Sequence, residues 1–262
     1  MKENESTAIV VVANLKYLRK YANNFIHQIR TKGNFNGEIV IITSYFIPLF
    51  IFRNIRKDNK ITVLRFNKIR FDRKTKKYLD DIIFLDWPNR NKTKSYQWNK
   101  IHLFDMKMKA WDYIFYLDIN MNVHFDLNNI FGLRPKNIFY ARADGYPEYK
   151  KDLSSQFDKE SEFFELLEEN FDLSATNYFQ TGVMYYDSSL ITKDTKIDII
   201  NLAKAYPLSI TNEQGIMNLY FSNLKNLYHE LPVKRNGFEI YYYWMKKDTK
   251  IIITKQQREK YK

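Results

Sequence analysis

Residues 8–12, AIVVV, place no polar side chain on either face of an extended chain. Such a strand is stable only with both faces covered, as in an open parallel sheet flanked by helices. Residues 38–43, EIVIIT, repeat the pattern after the turn-forming stretch GNFNG. KITVLRF predicts a third strand and DDIIFL a weaker fourth, and YIFYL, NIFYA, GVMYY and KIIIT continue the series. Between the first two strands Leu15, Leu18, Ala22, Phe25 and Ile29 recur at spacings of 3, 4, 3 and 4, the apolar stripe of a helix. Ile101, Phe104, Met108 and Trp111 form a second stripe running into YIFYL, and DKESEFFELLEENF, KIDIINLAKAY and EQGIMNLYF predict further helices. This alternation points to an α/β sandwich of three layers around a central, mostly parallel sheet.

With only 7 Gly and 6 Pro in 262 residues, no linker or repeat divides the chain, and a single domain over 1–262 is expected. The absence of cysteine excludes disulfides and thiolate metal sites and fits a reducing compartment. The apolar stretch near the N-terminus is too short to span a bilayer and lacks the layout of a signal peptide, so the expectation is a soluble, cytoplasmic protein. A net charge of +12 favours anionic partners: nucleic acid, an anionic membrane touched peripherally, or a phosphate-bearing small molecule. The densest basic stretch, residues 53–79, is interrupted by apolar residues and reads most simply as a solvated face.

In open α/β sheets, ligands bind beyond the carboxyl ends of the strands. YIFYL ends there in Asp118 and Asn120, two small oxygen-bearing side chains spaced i, i+2. Asp and Asn are turn formers, which is one explanation. A hard divalent cation held by oxygen ligands is the other.

The order of motifs resembles the nucleotide-sugar-dependent glycosyltransferases of the GT-A fold, and among them the glycogenin-like and bacterial galactosyltransferase-like retaining family. The similarity extends from Ile9 to Lys260, through short motifs whose strength lies in their order. VANLKY is similar to the family's opening loop, which implies Asn14 and Tyr17 at the base and ribose; an ordinary helix N-terminus with an exposed Tyr also explains them. YQWNKIHLFDMKMKAWDYIFYLDIN resembles the pattern of a Lys followed by a strand ending in Asp-x-Asp. That implies Lys100 at phosphate or sugar oxygens and Asp118 on Mn²⁺ or Mg²⁺, with Asn120 in place of the second carboxylate and binding weakened accordingly. ARADGYP resembles a segment that would set Asp144 against donor-sugar hydroxyls. FQTGV resembles F-N-S-G-V, with Gln180 and Thr181 for Asn and Ser before Gly182. NEQGIMN resembles D-Q-x-x-L-N, which implies Glu213 and Gln214 close to the anomeric carbon; a helix N-terminus that welcomes an acid is the simpler account. At the C-terminus Thr254 stands where the family carries a metal-binding His, and Lys260 falls on the Lys that grips the diphosphate.

The resemblance thus implies transfer of a sugar from a nucleoside-diphosphate donor, a UDP-sugar first, to a glycan or other hydroxyl acceptor, with retention and metal assistance. Residues 1–120 would form the nucleotide-binding half and 121–262 the half that holds donor sugar and acceptor. The four histidines lack metal-ligand spacing, although His229 could substitute as a ligand. Three other readings compete. A nucleotidyltransferase would want a Gly-rich phosphate loop, and VANLKY has no glycine. A basic nucleic-acid-binding module lacks any recognisable signature here, and no specific nucleic acid is expected. A catalytically weak UDP-binding relative fits the changes at Asn120 and Thr254.

Overall fold

The computed structural model describes residues 5–82, 94–145, 151–242 and 250–255. Strands β1 (Thr7–Val12), β2 (Glu38–Ser44), β3 (Ile61–Phe66) and β4 (Tyr113–Leu117) lie parallel, with β1 between β2 and β4. Next comes β5 (Met121–Val123), which leaves the sheet, whereas β6 (Phe139–Ala143), β7 (Phe179–Asp187) and β8 (Tyr228–Glu230) return to it. The order across the sheet is β3-β2-β1-β4-β7-β6-β8. All of its strands point one way except β7, which runs antiparallel to both of its neighbours. A second sheet, of order β5-β11-β10-β9, is made by β9 (Lys234–Arg235), β10 (Phe238–Tyr242) and β11 (Ile251–Lys255) with β5.

The period-two alternation of strands assigns each apolar residue to a layer. Ala8, Val10, Val40, Ile42, Ile114, Tyr116, Met184 and Tyr186 join one buried cluster. Their neighbours Ile9, Val11, Ile39, Ile41, Phe115, Leu117, Val183 and Tyr185 join the other. Helix Leu15–Thr31 covers the second face through Leu18, Ala22, Phe25 and Ile29, the stripe expected from sequence, with Leu15 half-buried at its edge. The expected helices near residues 195–205 and 213–221 form as Thr195–Ala205 and Glu213–Asn218, the latter continuing as a π-helical turn over Leu219–Leu224.

Three expectations change. The stripe from Ile101 to Trp111 is not one helix: after Lys94–Gln97 the chain makes two 3₁₀ segments, Trp98–Phe104 and Met106–Ala110. Asp105 between them is extended, its carboxylate accepting from the Lys107 N–H at 3.1 Å and pairing with Lys196 at 2.6 Å. Local capping and a tertiary ion pair outcompete helix continuation there. The first residues of DDIIFL are not a strand, because Asp80 and Asp81 finish helix Arg73–Asp81; the segment from Ile83 on lies outside the described residues. Asp72 caps that helix by accepting from the Thr75 N–H at 2.9 Å, a signal embedded in the basic stretch. Finally, DKESEFFELLEENF is helical only over Phe164–Asn170.

His102 is buried within the first 3₁₀ segment, stacked on Phe66 with ring centroids 4.4 Å apart. Its Nε2 lies 2.9 Å from the Asn67 carbonyl and donates to it. Burial, helped by the nearby Lys196 charge, pushes the imidazole pKa down to about 4. The unfolded chain therefore takes up a proton between about pH 6.5 and 4 that the native state refuses, and stability falls as pH falls through that window. The full loss is about 3 kcal/mol. Urea denaturation of His102→Phe across that range is expected to show a flatter dependence than the wild type, the curves separating as pH falls.

Candidate active site

The reversal of β7 decides where chemistry gathers. Leu117 at the end of β4 pairs with Val183 midway along β7, and the Asp118 N–H donates to the Gly182 carbonyl at 3.0 Å. On the other side of β7, Ala143 at the end of β6 pairs with Phe179, and the Asp144 N–H donates to the Tyr178 carbonyl at 2.8 Å. The carboxyl ends of β4 and β6 and the amino end of β7 thus meet on one edge. Gly182 leaves room for the Met121 side chain: a Cβ there would lie 2.9 Å from Met121 Cε.

Helix Glu213–Asn218 is fastened over this edge. Asn218 accepts from the Phe179 N–H and donates back to its carbonyl, both at 2.8 Å. At the other end Asn212 adopts φ 59° and ψ −123°, a sharp turn of a kind retained where the surroundings over-determine it. Glu213 Oε1 accepts from the Thr181 hydroxyl at 2.9 Å, whereas its Oε2 is buried with no hydrogen-bond partner among the described residues. Gln214 accepts from the Thr181 N–H at 3.2 Å and donates to Asp144 Oδ2 and to Gln156 Oε1, each at 2.8 Å.

Lys100 Nζ occupies the middle of the cluster, 3.2 Å from Asp118 Oδ1, 3.1 Å from Glu213 Oε1, and 3.2 and 3.1 Å from the Thr181 carbonyl and hydroxyl oxygens. Its burial opposes the charge, but the two carboxylates outweigh that and hold its pKa above the usual lysine value. Burial likewise pushes the Asp118 carboxyl up, and the ammonium groups of Lys100 and Lys255 overcome it, holding the group far below the carboxylate range. Lys255, at the end of β11, reaches Asp118 Oδ2 at 2.8 Å, and the Tyr116 hydroxyl donates to Oδ1 at 2.7 Å.

Of the residues singled out from sequence, Lys100, Asp118, Asp144, Thr181, Gly182, Glu213 and Gln214 converge here, and Gln180 adjoins them, accepting from the Tyr241 hydroxyl at 3.2 Å. Asn14 and Tyr17 follow β1 on the same edge of the sheet. Asn14 Oδ1 accepts from the Tyr17 N–H at 2.9 Å as the helix cap, so contact with a base would fall to its Nδ2 group. Asn120 lies in the turn closed by the Met121 N–H on the Asp118 carbonyl, and among the described residues its side chain makes no hydrogen bond to the cluster. Thr254 bonds His124 Nε2 at 2.8 Å. His229, on edge strand β8, is separated from β4 by two strands, about 14 Å, and does not join the site. Lys260 lies outside the described residues.

Lys255, Tyr116, Gln156, Asn218 and Tyr241 belong to the site and were not anticipated. Asn218 was legible as the last position of the D-Q-x-x-L-N pattern. Lys255 could have been found from strand alternation, which turns it away from Thr254 and toward the opposite face.

A divalent cation at Asp118 fits these residues poorly. The two donors expected from sequence are one carboxylate, Asp118, and one amide, Asn120, and both carboxylate oxygens already accept from ammonium or hydroxyl groups. Among the described residues no group of three or more His, Cys, Asp or Glu could hold a metal ion.

No family model and no curated protein matches the chain. Solved structures do match. The bifunctional glycosyltransferase WbbM aligns over 99% of this chain and 47% of its own, at 14% identity and a TM-score of 0.60. The galactosyltransferase LgtC, in complex with donor and acceptor sugar analogues, aligns over 89% of this chain and 75% of its own, at 13% identity and 0.58. The mannosyltransferase Ktr4p of S. cerevisiae, in complex with GDP, aligns over 87% and 69%, at 12% identity and 0.57. The fold is GT-A. The seven-stranded, mostly parallel sheet and its covering layers are those of GT-A glycosyltransferases. This chain spans about half the length of WbbM and of the Streptococcus pneumoniae glycosyltransferase GlyE, covering 47% and 46% of them. Among the described residues no helix is long and apolar enough to cross a membrane.

Replacing Lys100 by Met leaves two carboxylates facing each other without their shared cation. A loss of about 3–5 kcal/mol at neutral pH is expected, measured by chemical denaturation. Asp118, with its folded pKa depressed, contributes fully above its unfolded value near 4, and its contribution fades as pH falls below that. The penalty of the substitution should therefore shrink in acid.

Proposed function

We propose that this chain transfers a sugar from a nucleoside-diphosphate sugar, a UDP-sugar first among the candidates, to a hydroxyl of a glycan or similar acceptor. The observation that carries this reading is the single hydrogen-bonded cluster of Lys100, Asp118, Asp144, Thr181, Glu213 and Gln214 at the ligand-binding edge of a GT-A sheet. Donor and acceptor sugar analogues in LgtC and GDP in Ktr4p support the kinds of ligand.

In this reading Asn14 and Tyr17 meet the base and ribose, and Lys100 and Lys260 provide positive charge toward the diphosphate. Asp144, Gln180, Thr181 and the Gly182 backbone line the donor sugar. Glu213 and Gln214 lie beneath the anomeric carbon, where the Oε2 of Glu213, unpartnered among the described residues, has capacity for a sugar hydroxyl or for developing positive charge. Retention of configuration follows from the family resemblance alone. Metal assistance through Asp118 and Asn120, which that resemblance also implies, forms no step here, because the donor set does not fit a cation.

Release of nucleotide from a panel of UDP-, GDP- and TDP-sugars tests the proposal. One donor should be hydrolysed slowly by the wild type, and Glu213→Gln should lower that rate about 100-fold or more while the nucleotide still binds. If no donor turns over and no nucleotide binds, the reading is wrong.

A further inference from the structure

The strongest unexplained feature of the site is Lys255. It reaches Asp118 from the second sheet, where antiparallel pairing of β11 with β5 sets Lys255 opposite Met121 and so beside the turn after β4. The two lysines of the cluster differ in what remains available to a ligand. An ammonium has three N–H donors and no acceptor. Lys100 is surrounded by four protein oxygens within 3.2 Å and is nearly buried, with 12% of its side chain exposed. Among the described residues Lys255 has one acceptor, Asp118 Oδ2, and 26% of its side chain is exposed.

Asp118 therefore stands to Lys255 as an anchor. It fixes the ammonium at the end of β4, in the position where the sequence motif would put a cation, and among the described residues leaves two N–H directions for an incoming anion. We propose that the Lys255 ammonium, held by Asp118, takes the charge-neutralising place of a divalent metal against the nucleotide diphosphate, so that donor binding and cleavage require no metal. The inference rests on the transferase reading above and adds the identity of the group that receives the leaving charge.

The step balances without further reagents. The bond between the anomeric carbon and the β-phosphate oxygen breaks, and its electron pair stays on that oxygen, where the Lys255 N–H groups meet the new charge. The acceptor hydroxyl oxygen forms the new bond to the anomeric carbon, and its proton passes to the departing phosphate. Lysine suits the task as a compact point charge on a flexible stem that follows the phosphate as it leaves.

Calorimetric titration of UDP, GDP, TDP and CDP into the protein, in EDTA and again with Mn²⁺, tests the proposal together with the electron-paramagnetic signal of Mn²⁺ added alone. The expected result is one nucleotide bound equally well in both buffers, within about twofold, and Mn²⁺ that stays free. Lys255→Met, which keeps most of the aliphatic stem, should weaken that nucleotide about tenfold or more in EDTA, and Lys255→Arg should restore most of the loss. Binding that collapses in EDTA and returns with Mn²⁺ overturns the proposal and leaves the transferase reading standing. Undiminished binding by Lys255→Met does the same. Failure of every nucleotide in both buffers removes the transferase reading and this proposal with it.

Discussion

The buried ammonium of Lys100 is the point on which the rest of the site depends. It lies against a carboxylate from the end of β4, a carboxylate from the start of helix Glu213–Asn218 and two oxygens of Thr181 in β7. Each of these groups would be costly to bury alone. Together they satisfy one another, and the cost of separating them makes the three segments close on a single geometry. Glu213 can keep an oxygen that has no hydrogen-bond partner among the described residues because the neighbouring cation stabilises the carboxylate as a whole.

Topology makes the meeting possible. Were β7 parallel like its neighbours, the Gln180–Thr181–Gly182 segment would lie at the far end of the sheet from Asp118. Reversal brings it beside Asp118 on one flank and Asp144 on the other. The second sheet then contributes Lys255 through an antiparallel pairing with β5. A cluster drawn from six segments of the chain is thus positioned by backbone ladders at β4, β6, β7 and β11, and its side chains are left to set charge and hydrogen bonding.

That architecture also explains how the charge of the site is distributed. Two lysines face the three carboxylates of Asp118, Glu213 and Asp144 within the cluster, so under the proposed function a diphosphate would meet oriented N–H donors instead of an uncompensated excess of positive charge. Orientation then does what net charge would do less selectively. The strong ion pairing that holds Asp118 ionised is the same pairing that fixes the Lys255 ammonium at the end of β4.

Much of this was legible in the one-dimensional chain. Unbroken β-branched runs determined the buried parallel strands, because only strands covered on both faces tolerate AIVVV or EIVIIT, and the spacing of Leu18, Ala22, Phe25 and Ile29 determined the helix that covers them. Motif order marked Lys100, Asp118, Asp144, Thr181, Glu213 and Gln214, since each sits within a few residues of a strand or helix end. Tertiary structure alone decided what those residues do to one another. The helix expected across residues 101–111 broke at Asp105 because its carboxylate found Lys196, a partner 91 positions away. Among the described residues the Asn120 side chain makes no hydrogen bond to the cluster, whereas Lys255 bonds Asp118 at 2.8 Å across 137 positions. Strand pairing between separate sheets sets such contacts, and no local pattern encodes it.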